Sequence, residues 1–204
     1  MDIHEALEYQ MLKYKFALNM LETEVRILIE EFEFKNNYNP VEHIKTRIKS
    51  IDSAVEKLQR RNYEINVENL KTHIHDMVGI RIVCSFLSDV KKIVEMIENS
   101  QHLKIKEKKD YISNPKDTGY ISYHLIVYVP VYINNVEELV EAEIQIRTVA
   151  MDFWASLDHK IQYKFPNAIP DELKQELYNC ALVTKTLDDK MQSLNEIVNK
   201  YKKD

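Results

Sequence analysis

Glycine is scarce in this chain, and its scarcity restricts how the protein can bind phosphate. Only Gly79 and Gly119 occur among the 204 residues, whereas glycine makes up about 7% of an average protein. Loops that cradle phosphate with backbone N–H groups need several positions without a Cβ. A glycine-rich phosphate loop is therefore excluded, and any phosphate site must be built from lysine and arginine side chains.

Disulfides, membrane spans and an excess of positive charge are also missing. The two cysteines, Cys84 and Cys180, fall in a predicted strand and a predicted helix, which favours reduced core thiols. No run approaches the roughly 20 apolar residues of a membrane span. The acidic residues 1–5 do not resemble a secretory signal, so we expect a cytoplasmic protein without membrane contact. A net charge of −5 argues against broad nucleic-acid coating.

Length and hydrophobic periodicity predict one globular unit with long helices at both ends. The 204 residues suffice for one sizeable core. Apolar residues recur at steps of three and four over residues 7–32 and 173–201, which indicates helices. We therefore divide the single domain into an N-terminal helix (1–38), a core region (39–164) and a C-terminal helix (165–204).

A second helix is predicted over residues 39–61. Asn39 followed by Pro40 is typical of an N-cap with proline in the first turn. The helix would carry an apolar stripe on one face and polar, mostly basic residues on the other: Lys49, Ser53, Lys57 and Arg60. A solvated surface explains such a face as well as a ligand site does.

Strand-like segments rich in β-branched and aromatic residues follow at 80–86, 103–112, 123–133 and 140–148. Helices are predicted over residues 88–100 and 149–164, and Pro166 and Pro170 mark a break after the second of these. The predicted fold class is α+β, a mixed sheet of about four to five strands flanked by helices.

Several segments carry side chains suited to chemistry. Asp76 precedes the first strand, where it would suit Mg²⁺ as an oxygen ligand. The nearby His73 and His75 suggest a metal site or a histidine-aspartate phosphohydrolase, but no partner ligands occur at matching distances. Residues 108–124 combine lysines, a glycine, tyrosines and a histidine, which suits a nucleotide site or a structural turn. Strand alternation places the polar residues of segment 141–147 on one face, which a simple exposed sheet face also explains.

The order of these motifs is more specific than any one of them. It resembles the synthetase domain of the RelA/SpoT family over residues 39–164, and the flanking helices resemble those of small alarmone synthetases. The motifs are Arg-x-Lys at 47–49, Asp-x-x-Gly-x-Arg at 76–81, Lys-x-x-Gly-Tyr at 116–120 and Glu-Ile-Gln-Ile-Arg-Thr at 143–148. The resemblance implies a nucleotidyltransferase-like fold and transfer of the β,γ-pyrophosphate of ATP to the 3′-hydroxyl of GDP or GTP. We expect no hydrolase domain, for which the chain is too short.

The resemblance also implies roles for single residues on the ATP side. Arg47 and Arg81 would stack on adenine, because a planar guanidinium suits stacking. The triphosphate would be held by Lys49, Lys57 and Arg60. Asp76 would bind Mg²⁺, and Glu143 would complete the metal site or accept the proton of the 3′-hydroxyl.

On the side of GDP or GTP, Tyr120 would stack on guanine, while Lys116 and His124 would contact phosphates. Supporting positions are Ser53, Gly79, Gly119, Ser122, Gln145, Arg147 and His159. One residue departs from the family pattern: Ile121 stands where small synthetases usually carry arginine. Strand alternation would point it away from Tyr120, so either a phosphate contact is lost or Ile121 packs beneath the sheet.

Two other functions are compatible with these motifs. A toxin-type relative would place pyrophosphate on the 3′ end of tRNA, although the acidic net charge and Tyr120 disfavour it. A catalytically weak nucleotide- or RNA-binding homologue is disfavoured because both carboxylates, Asp76 and Glu143, are retained. The apolar stripes of the terminal helices predict a homo-oligomer, and the resemblance implies a tetramer. The choice between GDP and GTP, and regulation by product or RNA, stay open.

Overall fold

Five strands and six helices form the part of the chain that this computed structural model describes, residues 3–165 and 168–201. The helices are α1 (Ile3–Asn36), α2 (Ile51–Arg60), α3 (Val67–His73), α4 (Leu87–Glu98), α5 (Val149–Lys164) and α6 (Asp171–Tyr201). The strands are β1 (Val41–Ile48), β2 (Val78–Cys84), β3 (Lys104–Asp110), β4 (Tyr123–Ile133) and β5 (Val136–Thr148).

The strands form one mixed sheet in the order β1-β2-β5-β4-β3. Only β2 and β5 pair in parallel, and the other neighbours are antiparallel. The turn between β4 and β5 contains Asn134 and Asn135, whose φ angles of 53° and 64° suit a tight hairpin. The α+β prediction is thereby confirmed, with five strands.

The hydrophobic core lies on one face of this sheet, beneath α1 and α4. The predicted stripe of α1 is buried, with Leu21 and Val25 almost fully enclosed, and the helix packs against β1, β2, β4 and β5. Burying each such side chain stabilises the fold by about 1.5 to 3 kcal/mol. Because α1 and α4 cover this face, the polar side chains of the strands gather on the opposite one.

The predicted helix over residues 39–61 is wrong in its first half. Residues 41–48 form β1, whose β-branched residues turn toward the core while its charged residues face outward. The side chain of Asn39 caps no helix but accepts a hydrogen bond from the N–H of Val41 at 2.9 Å. The N-cap of α2 is Ser50. Pairing with β2 thus overrides the local helix signal, and Lys49 lies in the connection rather than on the helix.

Other predictions differ in smaller ways. Helix α3 was not predicted, and β5 begins four residues before the predicted segment. Cys84 is buried as expected, whereas Cys180 is exposed on α6, so its assignment to the core was wrong. Pro166 lies outside the described residues. Within residues 3–165 and 168–201, none of the helices has the length and apolar character needed to cross a membrane.

Candidate active site

The face of the sheet that α1 and α4 leave open carries a small polar cleft. The strand register places Gly79 of β2 between Arg47 of β1 and Glu143 of β5. Two residues further along β2, Arg81 lies beside Gln145 of β5. These five residues line a cavity of about 220 Å³. Gly79 adds no side chain between Arg47 and Glu143, and the Arg47 side chain lies against it, 3.4 Å from where a Cβ would be.

Asp76 lies at one end of the cleft, directly before β2, between two lysines. Lys49 donates to one of its oxygens at 3.0 Å, and Lys57 of α2 donates to the other at 2.7 Å. Burial alone would raise the pKa of Asp76, but the hydrogen bonds and charges of Lys57 and Lys49 lower it to about 2. Asp76 is therefore ionised at neutral pH.

Glu143 is the second carboxylate of the cleft. His124 lies on β4, and its Nδ1 is 3.1 Å from Glu143 Oε1, while the Gln145 amide donates to Oε2 at 2.7 Å. Burial opposes ionisation, but the hydrogen bond and charge of His124, with help from Gln145, lower the pKa of Glu143 overall. The charge of Asp76 acts in the opposite direction, so the two carboxylates are close enough to interact.

Hydrogen bonds link Glu143 to Tyr120 through a closed ring of five side chains. His124 Nε2 pairs with the Tyr120 hydroxyl at 2.8 Å, and Arg147 Nη2 donates to the same oxygen at 2.6 Å. The same Arg147 nitrogen donates to Gln145 Oε1 at 3.2 Å, and the Gln145 amide donates to Glu143, which closes the ring. Both ring nitrogens of His124 are therefore engaged, one with Glu143 and the other with Tyr120.

The loop that carries Tyr120 is fixed by its glycine. Gly119 has a φ of +84°, and a Cβ on it would lie 2.6 Å from the Cβ of Ala181 on α6. Backbone bonds between residues 116 and 120 close the turn. Glycine is therefore required at position 119 because the loop passes close to α6 and has a positive φ angle there. Lys116 Nζ lies 4.9 Å from the ring centre of Tyr120 and 4.6 Å from that of Tyr111, which sequence reasoning had not singled out.

Helices α5 and α6 brace the other side of Tyr120. Trp154 of α5 donates its indole N–H to the carbonyl of Leu177 at 2.9 Å, and Tyr120 packs against the small cluster of Trp154, Ala155 and Ala181. Helix α5 also supplies Asp152, a buried carboxylate that sequence reasoning missed although it lies in the first turn.

The structure brings most of the predicted positions together, but not all. Ser122 is buried and accepts from Arg147 Nε at 3.2 Å, as a supporting residue should. Ser53 belongs to the cap of α2, where Ser50 donates to its hydroxyl. Arg60 is exposed at the end of α2, and His159 is exposed on α5, outside the ring.

Ile121 lies in the loop before β4 rather than in a strand, so the alternation argument does not apply to it. Its side chain is nevertheless only 6% exposed, which favours packing over a lost phosphate contact.

The histidines beside Asp76 have structural partners. His73 stacks on Tyr63 with ring centres 3.7 Å apart, and His75 pairs with Glu141 at 2.5 Å. Among residues 3–165 and 168–201, no group of three or more His, Cys, Asp or Glu is placed to hold a metal by itself. These contacts do not support the phosphohydrolase interpretation.

Basic side chains beside a carboxylate that could bind a metal and a second carboxylate that could accept a proton are recurring parts of enzymes that transfer phosphoryl groups. Comparison with known proteins agrees: a family model described as a region found in RelA/SpoT proteins matches residues 46–168. The chain is 46% identical over 197 residues to GTP pyrophosphokinase YwaC of Bacillus subtilis, covering 97% of this chain and 94% of that protein.

Two crystal structures from Bacillus subtilis have the same fold. Small alarmone synthetase 2 is 45% identical, with a TM-score of 0.84 over 93% of this chain and 98% of that one. Small alarmone synthetase 1, bound to its product pppGpp, is 30% identical, with a TM-score of 0.88 over 96% and 99%. The chain belongs to the RelA/SpoT family.

Proposed function

We propose that this protein transfers the β,γ-pyrophosphate of ATP to the 3′-hydroxyl of GDP or GTP, which yields AMP and the alarmones ppGpp or pppGpp of the stringent response. The observation that carries the proposal is the placement of Asp76 and Glu143 beside a cleft lined by Arg47 and Arg81. The names of the relatives, GTP pyrophosphokinase and small alarmone synthetase, support it.

On the ATP side, Arg47 and Arg81 enclose the adenine ring. Both arginines line the cleft, and Arg81 is held by an ion pair with Asp152 and a hydrogen bond from its Nε to Gln145. A planar guanidinium held in this way can stack on a ring. Lys49 and Lys57 hold the triphosphate, with Arg60 at the outer end of α2. Both lysines now bond to Asp76, so they exchange this carboxylate for phosphate oxygens when ATP binds.

The carboxylates Asp76 and Glu143 fit Mg²⁺. This ion is usually held by one or two carboxylates together with substrate phosphates, so a third protein ligand is not required. Asp76 has two ionised oxygens, which the lysines release as they turn to the triphosphate. Bound there, Mg²⁺ would supply positive charge that offsets the charge developing on the transferred group.

Glu143 accepts the proton of the 3′-hydroxyl. The lowered pKa keeps it ionised, and His124 and Gln145 fix the orientation of both its oxygens. The 3′-oxygen then forms a bond to the β-phosphorus of ATP, and the bond from that phosphorus to the oxygen bridging to the α-phosphorus breaks. AMP leaves with that oxygen, and the 3′ proton is left on Glu143.

Tyr120 forms the platform for guanine. Its ring is held by Trp154 behind it and its hydroxyl by His124 and Arg147, so stacking a base requires little reorganisation. Lys116, which lies over the ring in this structure, moves to the phosphates of the acceptor.

Incubation of the purified protein with γ-labelled ATP and each of GDP, GTP, GMP or tRNA tests the proposal. Labelled ppGpp and pppGpp are expected with GDP and GTP. Label on the 3′ end of tRNA alone would identify the toxin-type activity, and binding of nucleotides without transfer would identify a homologue that does not catalyse the reaction.

We also propose that the protein is a homotetramer in the cytoplasm, where its nucleotide substrates are found. Much of the apolar surface of α5 and α6 is uncovered within the chain, including Phe153 at 72% exposure and Val183 at 69%. The tetramer count comes from the family. Light scattering that gives the mass of a monomer at micromolar concentration would contradict this assignment.

A further inference from the structure

One buried carboxylate outside the predicted site contacts both halves of it. Asp152 lies in the first turn of α5 and is 7% exposed. Its Oδ1 is 3.0 Å from Arg81 Nη1 and 3.1 Å from Arg147 Nη1. The other oxygen, Oδ2, lies 4.0 Å from Nε2 of His43 on β1. A single oxygen atom therefore accepts a hydrogen bond from Arg147 and forms an ion pair with Arg81.

Without this carboxylate, the buried Arg147 and the half-buried Arg81 would face each other as two cations. Burial lowers the pKa of Arg81, the charge of Arg147 lowers it further, and the charge of Asp152 opposes both. Removing one partner of a buried charge cluster is strongly destabilising, because the remaining charges lose their compensation. Asp152 thus determines whether the two guanidiniums can lie side by side.

The two arginines serve different nucleotides. Arg81 lines the cleft proposed for adenine, and Arg147 donates to the hydroxyl of Tyr120, the proposed guanine platform. The arginines also share Gln145, whose Oε1 accepts from Arg81 Nε at 3.4 Å and from Arg147 Nη2 at 3.2 Å. Asp152 is the charged member of this junction, so it is the one that can neutralise the arginines.

We propose that Asp152 is a positioning residue. Its carboxylate fixes the positions of Arg81 on the ATP side and Arg147 on the guanine side, and so holds the two nucleotide sites in a fixed position relative to each other. This inference rests on the proposed roles of Arg81 and Tyr120. A purely structural role, in which Asp152 only stabilises the N-terminus of α5, predicts a lower melting temperature without a change in nucleotide binding well below it.

Asp152→Asn tests the inference, because asparagine has the same size but lacks the charge. Its amide oxygen can take the place of Oδ1 beside both arginines but carries no negative charge, and its NH₂ group would take the place of Oδ2. We expect the Kd for the ATP analogue AMPCPP and the KM for GTP to rise together, each about tenfold, the effect of losing a charge-assisted hydrogen bond. Asp158→Asn, the same substitution further along α5, where the carboxylate accepts a hydrogen bond from Gln162, should leave both constants at wild-type values.

Arg81→Lys separates the effect on ATP binding from the effect on GTP binding. It removes the donor-side contact but leaves the bond between Asp152 and Arg147, so AMPCPP should bind more weakly while the KM for GTP stays unchanged. If Asp152→Asn does not fold, Asp152→Glu is the second test. It retains the charge on a longer side chain and should raise both the Kd for AMPCPP and the KM for GTP by a smaller factor.

Wild-type values of both constants in a folded Asp152→Asn or Asp152→Glu variant would overturn the inference, as would a change in the AMPCPP constant alone. Failure of the proposed function is distinguishable from this result, because it would appear as absence of pyrophosphate transfer by the unmodified protein.

Discussion

The ATP side and the guanine side of the cleft are built differently. On the side proposed for ATP, the side chains of Lys49 and Lys57 are 19% and 23% exposed, and both are held by Asp76, which they release in the proposed mechanism. On the guanine side, His124 and Arg147 are 7% and 4% exposed and belong to a closed ring of hydrogen bonds. The lysines of the first side are arranged to exchange partners, whereas His124, Arg147 and the Tyr120 hydroxyl on the second are already held in place.

The chemistry of the two substrates accounts for this difference. A triphosphate brings its own charge, and flexible lysines can follow it from Asp76 to the phosphate oxygens. Deprotonation of a hydroxyl instead requires a carboxylate at a fixed position, because an orientation set before the reaction requires no further reorganisation. We therefore expect changes on the ATP side to alter binding and rate, and changes behind the guanine side to alter stability.

The largest expected effect is that of Asp76→Asn on the ATP side. Pyrophosphate transfer should fall at least about a thousandfold, about 4 kcal/mol in the barrier, because the site loses the charge that holds Mg²⁺. AMPCPP binding in EDTA should be retained, since Lys49 and Lys57 no longer have a carboxylate to release. Calorimetry and a transfer assay measure both effects, and wild-type transfer would remove Asp76 from the site.

Ile121→Arg tests the packed guanine side. Ile121 is 6% exposed, and an unpaired arginine buried there should destabilise the fold by about 3 kcal/mol or more. Thr118→Arg, at an exposed position of the same loop, is the matched control and should melt like the wild type. If Ile121→Arg melts normally and has a lower KM for GTP, the arginine contacts the acceptor, and the packing interpretation is wrong.

Asp188→Asn is expected to have the smallest effect and the opposite sign. Asp188 of α6 accepts from Thr148 at the junction of β5 and α5. Burial raises its pKa from 3.8 to about 6. Because the folded-state value is raised, the stability conferred by the wild-type carboxyl is fully present below pH 3.8 and is lost as the pH rises through about 6.

The Asn variant should therefore be more stable than the wild type at pH 7.5, by about 1 to 2 kcal/mol. The difference should shrink as the pH falls below about 6 and disappear at about pH 3, where Asp188 is neutral in both the folded and unfolded states. Thermal melts at the two pH values measure it, with Asp158→Asn as a control that should show no such pH-dependent gain. A variant that is less stable at pH 7.5 would contradict the assignment.

The sequence allowed the sheet, the terminal helices and the two carboxylates to be predicted, because strand alternation and motif order are local signals. It did not reveal β1, since the register with β2 that makes residues 41–48 a strand is a long-range contact. Asp152 was missed for the same reason: its two arginine partners come from β2 and β5, and only folding brings them to the first turn of α5.

The role of Glu143 as the base is the claim on which the account depends most. The most direct measurement is single-turnover transfer from γ-labelled ATP to GTP by Glu143→Gln, with AMPCPP binding as the check that the site is intact. The account predicts wild-type binding of AMPCPP and no labelled pppGpp. Labelled pppGpp formed at the wild-type rate would contradict it.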